Sequence, residues 1–232
     1  YIMRVLPNHS TESGAPASAA YANTCLKWNA TTSKYEIVSV ADQYSTKVMD
    51  ATLLANGGPD VIFYAVGRGK YYNNMGIRLT EALDPYLTEA QLYVIDVYDI
   101  LSDGTESLVE SFRVSFDADA TDYSGESIFV EHVLEKYSTR IRAKCKNFTA
   151  AELLRDFDYP FTRPLEEGED EYANWGILKN GSDGGLWNVD GTAIDNTVAT
   201  NLLVQAYSGL LTKPDGTTNS DILDSEIYTM TI

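Results

Sequence analysis

The sequence predicts an α+β fold: mixed β-sheets with short helices, in a two-part fragment of a larger subunit. Three observations predict it. Apolar residues recur in runs of strand length, several of them alternating with polar ones. An Asp-Gly pair, Asp103-Gly104, stands between two such runs and marks a hairpin. Helical periodicity is confined mostly to stretches of about three turns or fewer.

In order, YIMRVL reads as a strand and PNHSTESGAPASAA as a loop of small and polar residues. TCLKW and YEIVSV flank NATTSK, a hairpin with a longer loop. STKVMDATLLAN fits a short helix closed by Gly57 and Gly58. DVIFYAVG is continuously apolar, which suits a buried strand. GRGKYYNN is a Gly-rich turn leading into the strand MGIRLTEA. QLYVIDVYDI and ESLVESFRVSF form the hairpin around Asp103-Gly104, with Leu108, Phe112, Val114 and Phe116 on one parity and Glu110 interrupting them. SIFVEHVLEKYS is an amphipathic helix, TRIRAKC a strand, and TAAELLRDF a helix opened by a Thr149/Glu152 capping box. From 158 to 185 the chain turns polar, and the acidic run EEGEDE at 166–171 reads as a solvated loop. A helix is expected over 196–211 and a strand at IYTMTI. The expected division is a β-rich outer part, 22–146, and an α/β part made of 1–21 plus 147–232. Both ends of the chain would then be strands of one parent sheet, and the sequence reads as a fragment of a longer protein.

The chain has 232 residues and a net charge of −17. That charge argues against nucleic acid, whose phosphates need a basic face, and against an anionic membrane surface. No apolar run approaches the length of a membrane span. The two cysteines, Cys25 and Cys145, read as free and partly buried thiols.

Several stretches invite chemistry. DADATDYSGES offers Asp117, Asp119 and Asp122 as calcium ligands. As an EF-hand loop it places Asp122 where glycine belongs and Ile128 where the bidentate glutamate belongs, so a turn stabilised by Asp side chains is the better reading. NGSDGGLWNVDG carries Asp183, Asp190 and Trp187 in a Gly-rich loop that could take a cation or a sugar. GRGKYYNNMG lacks the spacing of a phosphate loop. His9 and His132 are too few for a zinc site, and a triad through His132 has no marked partners. A carboxylate pair for glycoside hydrolysis is not singled out among the acidic residues.

Four stretches, in order, resemble contractile phage tail sheath proteins. SFDADATDYSGESIFVEHVLEKYSTRIRA is similar to the sheath pattern of a strand, an Asp-rich turn, a short "S-I-Y/F-V/I-E-x-V-L" helix and a strand ending in "Y/T-I-R". YIMRVL is similar to the "Y-V-x-R-V" strand. GRGKYYNNMGIRL is similar to the "G-x-W/Y-G-N-N-I" turn, with Tyr72 before Asn73-Asn74. LKNGSDGGLWNVDG, followed by a helix and ILDSEIYTMTI, is similar to the "L-x-G-G-x-D-G" loop, although Asn180-Gly181 replaces the usual Gly-Gly. The segment near 158–175 and the NATTSK hairpin have no counterpart. The resemblance implies a structural subunit of the outer helical cylinder, whose contraction drives the inner tube through the host envelope. It implies other sheath subunits as partners, the tail tube through a region beyond Ile232, and a place in the virion tail. It implies no enzymatic activity, catalytic residue, cofactor or metal, and no nucleic-acid or membrane partner; the fragment alone is expected to be monomeric. A calcium- or glycan-binding surface module and a carboxylate-dependent hydrolase are the alternative readings.

Overall fold

The computed structural model describes residues 20–182, apart from 41–48, 50, 56, 84–90 and 102. The expected strands at YIMRVL and IYTMTI and the helix over 196–211 therefore lie outside the described residues.

Two four-stranded antiparallel sheets with a few short helices make up this part, an α+β architecture. The first sheet contains β1 (Tyr21–Asn29), β2 (Lys34–Val38), β3 (Val61–Arg68) and β7 (Ile141–Cys145), in the order β2-β1-β3-β7. The second contains β4 (Met75–Ala82), β5 (Leu92–Ile100), β6 (Glu106–Val114) and the two-residue β8 (Gly176–Ile177), in the order β6-β5-β4-β8. Three helices connect them: α1 (Val130–Tyr137), α2 (Ala150–Leu153) and α3 (Tyr159–Thr162).

Alternation places one face of each sheet in a shared core. The first sheet contributes Ala22, Leu26, Val61, Phe63, Ile141 and Ala143; the second contributes Met75, Ile77, Leu79, Tyr93, Ile95 and Val97. On the outer face of the first sheet, Cys25 and Ile62 form a smaller apolar cluster with Met49, Leu53 and Leu54, beneath a 3-10 turn over Ala51–Leu54. This turn is the described part of the helix expected over STKVMDATLLAN.

Phe157 joins the two sheets. Its ring stacks on Phe116 at 4.2 Å and on Tyr35 at 4.8 Å, and Phe148 and Tyr93 meet it edge to face at 5.0 and 5.8 Å. Such pairs contribute beyond the area they bury. Phe157 belongs to the segment after Cys145, and so do the buried Phe161, Trp175 and Leu178. The polar stretch on either side of the acidic run, to which the sequence assigned no element, thus contains α3, β8 and part of the core. Residues 20–182 form one compact unit, and 147–182 packs within it rather than beginning a second part after residue 146.

The hairpin parity also differs from the reading. A bulge in β6 at Val109 places two residues of β6 against one step of β5, so that Tyr98 faces Leu108 while Val97 faces Glu110. Phe112 packs against the core and Val114 is within it, but Leu108 is turned out and exposed. Replacing Leu108 with Ser should change stability by no more than about 0.5 kcal/mol, the range of exposed sites. Replacing Ile95 with Ala should cost about 2–5 kcal/mol. Urea unfolding of both variants checks the register: comparable losses would mean that the bulge is misplaced.

Candidate functional site

The best-defined constellation of polar groups lies where the unit begins and ends. β8 pairs with β4, opposing Gly76 to Ile177 and Ile77 to Gly176. The chain then crosses to the other sheet. Lys179 and Asn23 exchange two backbone hydrogen bonds of 2.8 Å, and Ser182 and Ala20 exchange two of 2.8 and 3.1 Å. Residues 176–182 therefore stitch one sheet to the other, and the first and last residues of the unit are neighbours.

Asn73 fixes this seam. It lies in a 3-10 turn over Lys70–Asn74. Its Nδ2 donates to the Gly181 carbonyl (3.0 Å), and its Oδ1 accepts the Gly181 N–H (2.8 Å). A side-chain amide thus replaces one rung of a β-ladder. Gly181 is required here because a Cβ would lie 2.5 Å from the Gly69 carbonyl oxygen and 2.7 Å from Asn73 Oδ1. Asn180 adopts a left-handed backbone, φ 66°, and donates from Nδ2 to the Val40 carbonyl (3.0 Å). Asn23, fully buried, holds the same Val40 from below by accepting its N–H (2.8 Å) and donating to its carbonyl (3.2 Å).

A second seam joins α1 to the sheets. Glu110 replaces an apolar residue on the core parity because its carboxylate receives Ser138 Oγ (2.6 Å), Thr139 N–H (2.8 Å) and Thr139 Oγ (2.6 Å). Partial burial alone would raise its pKa. The Ser138 and Thr139 donors, with Arg140 nearby, outweigh burial and hold it below the ordinary carboxylate value. Arg142 donates to the Leu134 and Ser138 carbonyls and so caps the C-terminus of α1. From the other end of the helix, Glu131 accepts the Cys145 N–H and pairs with Lys144, covering the edge of β7. A third polar knot ties Lys146 to Asp60 (2.7 Å) and Glu152 (2.9 Å). The Thr149 N–H, followed by Lys146, holds the Glu152 carboxyl down at about 2, within the capping box read from the sequence.

The residues singled out for chemistry are placed as follows. Asp117 accepts the Asp119 N–H, and Asp122 accepts the N–H groups of Ser124 and Glu126 and the Ser124 hydroxyl. The loop satisfies its own backbone with these carboxylates. Among the described residues, no three His, Cys, Asp or Glu side chains gather closely enough to hold a metal ion. Asp183, Trp187, Asp190 and His9 lie outside the described residues. His132 is paired through Nδ1 with Ser127 Oγ (2.9 Å) and lies edge-on to Phe129; Ser127 also accepts the Phe129 N–H before α1 begins. These contacts order the turn just before α1. Cys25 and Cys145 are free and buried. They pair with Ile62 and Val61, consecutive residues of β3, and so face opposite sides of the sheet. Burial pushes the Cys25 thiol up to about 12 and raises Cys145 well above its ordinary value, so neither is a ready nucleophile.

An apolar cleft of about 310 Å³ opens over Tyr93, Phe116, Leu153 and Phe157, with Asp117 as its one carboxylate. A wider groove beside β2, about 590 Å³, contains Lys34 and Arg163. Lys34 is bonded to the Tyr159 hydroxyl (2.8 Å), and Arg163 forms a two-pronged pair with Glu169 (2.8 and 2.6 Å). The acidic run is thereby folded back on its own base. Sequence reading located Asn73 and Gly181 as separate motifs but did not join them; they stand 108 residues apart. The Glu on the apolar parity of β6 was the visible sign of the second seam.

No protein-family model matches the chain, and no curated protein matches it.

Two predictions follow from the seams. Gly181→Ala should cost about 1–3 kcal/mol through overpacking, and Asn73→Ala a smaller amount; urea melts measure both, and a neutral Gly181→Ala would contradict the close approach. For Glu110 the folded-state pKa is depressed. Its contribution is therefore present above the unfolded carboxylate pKa and is lost as the pH falls through the folded value. The stability gap between wild type and Glu110→Ala should hold from neutral pH down to the ordinary carboxylate range and close below it. A gap unchanged in acid would assign the effect to packing.

Proposed function

We propose that the chain is part of a structural subunit of a contractile phage tail sheath, with residues 20–182 as a rigid outer module and no catalytic role. The observation that carries this reading is the Asn73–Gly181 pair. Two of the stretches that resemble sheath segments, GRGKYYNNMGIRL and LKNGSDGG, meet in it. A third, SFDADATDYSGESIFVEHVLEKYSTRIRA, runs on from the end of β6 as one continuous support: a self-bonded Asp turn, α1 and β7. The matching residues are engaged in locking and capping, and a mechanical part is what such residues serve.

The module's shape of use agrees. Its ends are adjacent, so it can be carried at one point by the rest of a subunit. In a helical cylinder, subunits meet through repeated, non-closing contacts and shift as nearly rigid bodies. A module whose sheets are pinned by Phe157, Asn73 and Glu110 moves without deforming. Its partners on this reading are other sheath subunits, with the tail tube reached through another region. The surface also gathers like charge at one tip: the Tyr172 hydroxyl donates to the Gly104 carbonyl (3.3 Å) and brings Asp170 and Glu171 to the β5–β6 turn near Glu106. Like charges there discourage close packing of two such tips.

Immuno-electron microscopy tests the reading. Antibodies raised against the chain should decorate contractile tails at regular intervals in particles released by the cells that produce it. Label confined to cell surfaces, or to no particle at all, would sink it.

A further inference from the structure

Asn180-Gly181 is the dipeptide most prone to spontaneous deamidation, because glycine leaves the following backbone nitrogen unshielded. The reaction is intramolecular. The Gly181 backbone nitrogen bonds to Cγ of Asn180, and the side-chain nitrogen leaves as ammonia with the Gly181 amide proton. Water then opens the five-membered imide at either carbonyl. One opening gives Asp at position 180; the other gives the β-linked isomer, with one extra atom in the backbone.

In the folded protein both reacting groups are occupied. The Gly181 N–H is donated to Asn73 Oδ1 at 2.8 Å. The Asn180 side-chain nitrogen is donated to the Val40 carbonyl at 3.0 Å, which fixes its amide on Val40. The flanking backbone is pinned as well, by Lys179 on Asn23 and Ser182 on Ala20. Ring closure needs the amide carbon and the nitrogen aligned at close range, and small misplacements of reacting atoms cost large factors in rate. Asn180 is nonetheless exposed, so water reaches the site once the restraints open.

We propose that Asn180-Gly181 is a latent modification site that the Asn73 amide holds closed, and that its deamidation is an irreversible release of the seam between the sheets. The product cannot be relatched. A carboxylate at 180 presents no donor to the Val40 carbonyl and repels it, and the β-linked isomer shifts the rungs at Asn23 and Ala20 out of register.

The experiment is a time course of the full chain at 37 °C and mildly alkaline pH, read by peptide mapping for the 1 Da gain at Asn180 and by enzymatic methylation of β-linked aspartate. Folded wild type should react on the order of tenfold or more slowly than the same chain in urea, and Asn73→Ala, kept folded, should recover most of that factor. Equal rates for folded and urea-unfolded wild type would overturn the proposal, and this arm needs no variant. An Asn73→Ala protein that is folded by circular dichroism but reacts no faster than wild type would overturn it as well. If Asn73→Ala does not fold, Asn73→Ser serves as the second variant under the same criterion. Asn180→Asp, made directly, should lower the melting temperature; an unchanged value would refute the release of the seam.

Discussion

One aromatic ring holds the two sheets at their distance. Phe157 lies with Tyr35 of the first sheet on one side and Phe116, two residues past β6, on the other. Both contacts are near-parallel stacks, and Tyr93 and Phe148 close the ring's edges. Two antiparallel sheets bury only one face each, so the bond between them has to come from side chains. Here the facing side chains of both sheets are joined by a ring that belongs to neither. The segment carrying Phe157 is consequently as necessary to the fold as any strand.

Around that apolar centre, polar groups fix alignment. Asn73 binds Gly181 at two points, Glu110 binds Ser138 and Thr139, and Lys146 binds Asp60 and Glu152. A hydrophobic contact tolerates sliding; a two-point hydrogen bond does not. The buried Asn23 has the same effect on Val40. The outer face of the second sheet shows a related economy: Gly76 lacks a side chain where Trp175 lies flat, and a Cβ there would be 2.7 Å from the indole. Arg78 covers the same ring at 3.9 Å.

Legibility from sequence followed the range of the interactions. DVIFYAVG, MGIRLTEA and the QLYVIDVYDI hairpin were read as strands because apolar runs, alternation and turn chemistry are local. The Thr149/Glu152 capping box was legible for the same reason. Leu108 was misassigned because the bulge at Val109 resets parity without marking the sequence. No element was assigned within 158–182 because Phe161, Trp175 and Leu178 are scattered among polar residues with no period. β8 has two residues, too few to show a pattern. The Asn73–Gly181 pair depends on the fold bringing distant loops together, and neither residue type reveals its partner. The Asp loop is the opposite case: Asp117 and Asp122 bond their immediate neighbours, so their turn-forming role could be read directly.

The adjacency of Ala20 and Ser182 also bears on how such a chain changes over generations. A segment whose two ends share a rung can be gained, lost or exchanged at a single point in a gene without rerouting the polypeptide on either side. The host protein sees only a pair of residues side by side. The segment between these two positions is therefore exchanged best as a whole, because its own interior is held by the core and seams already described.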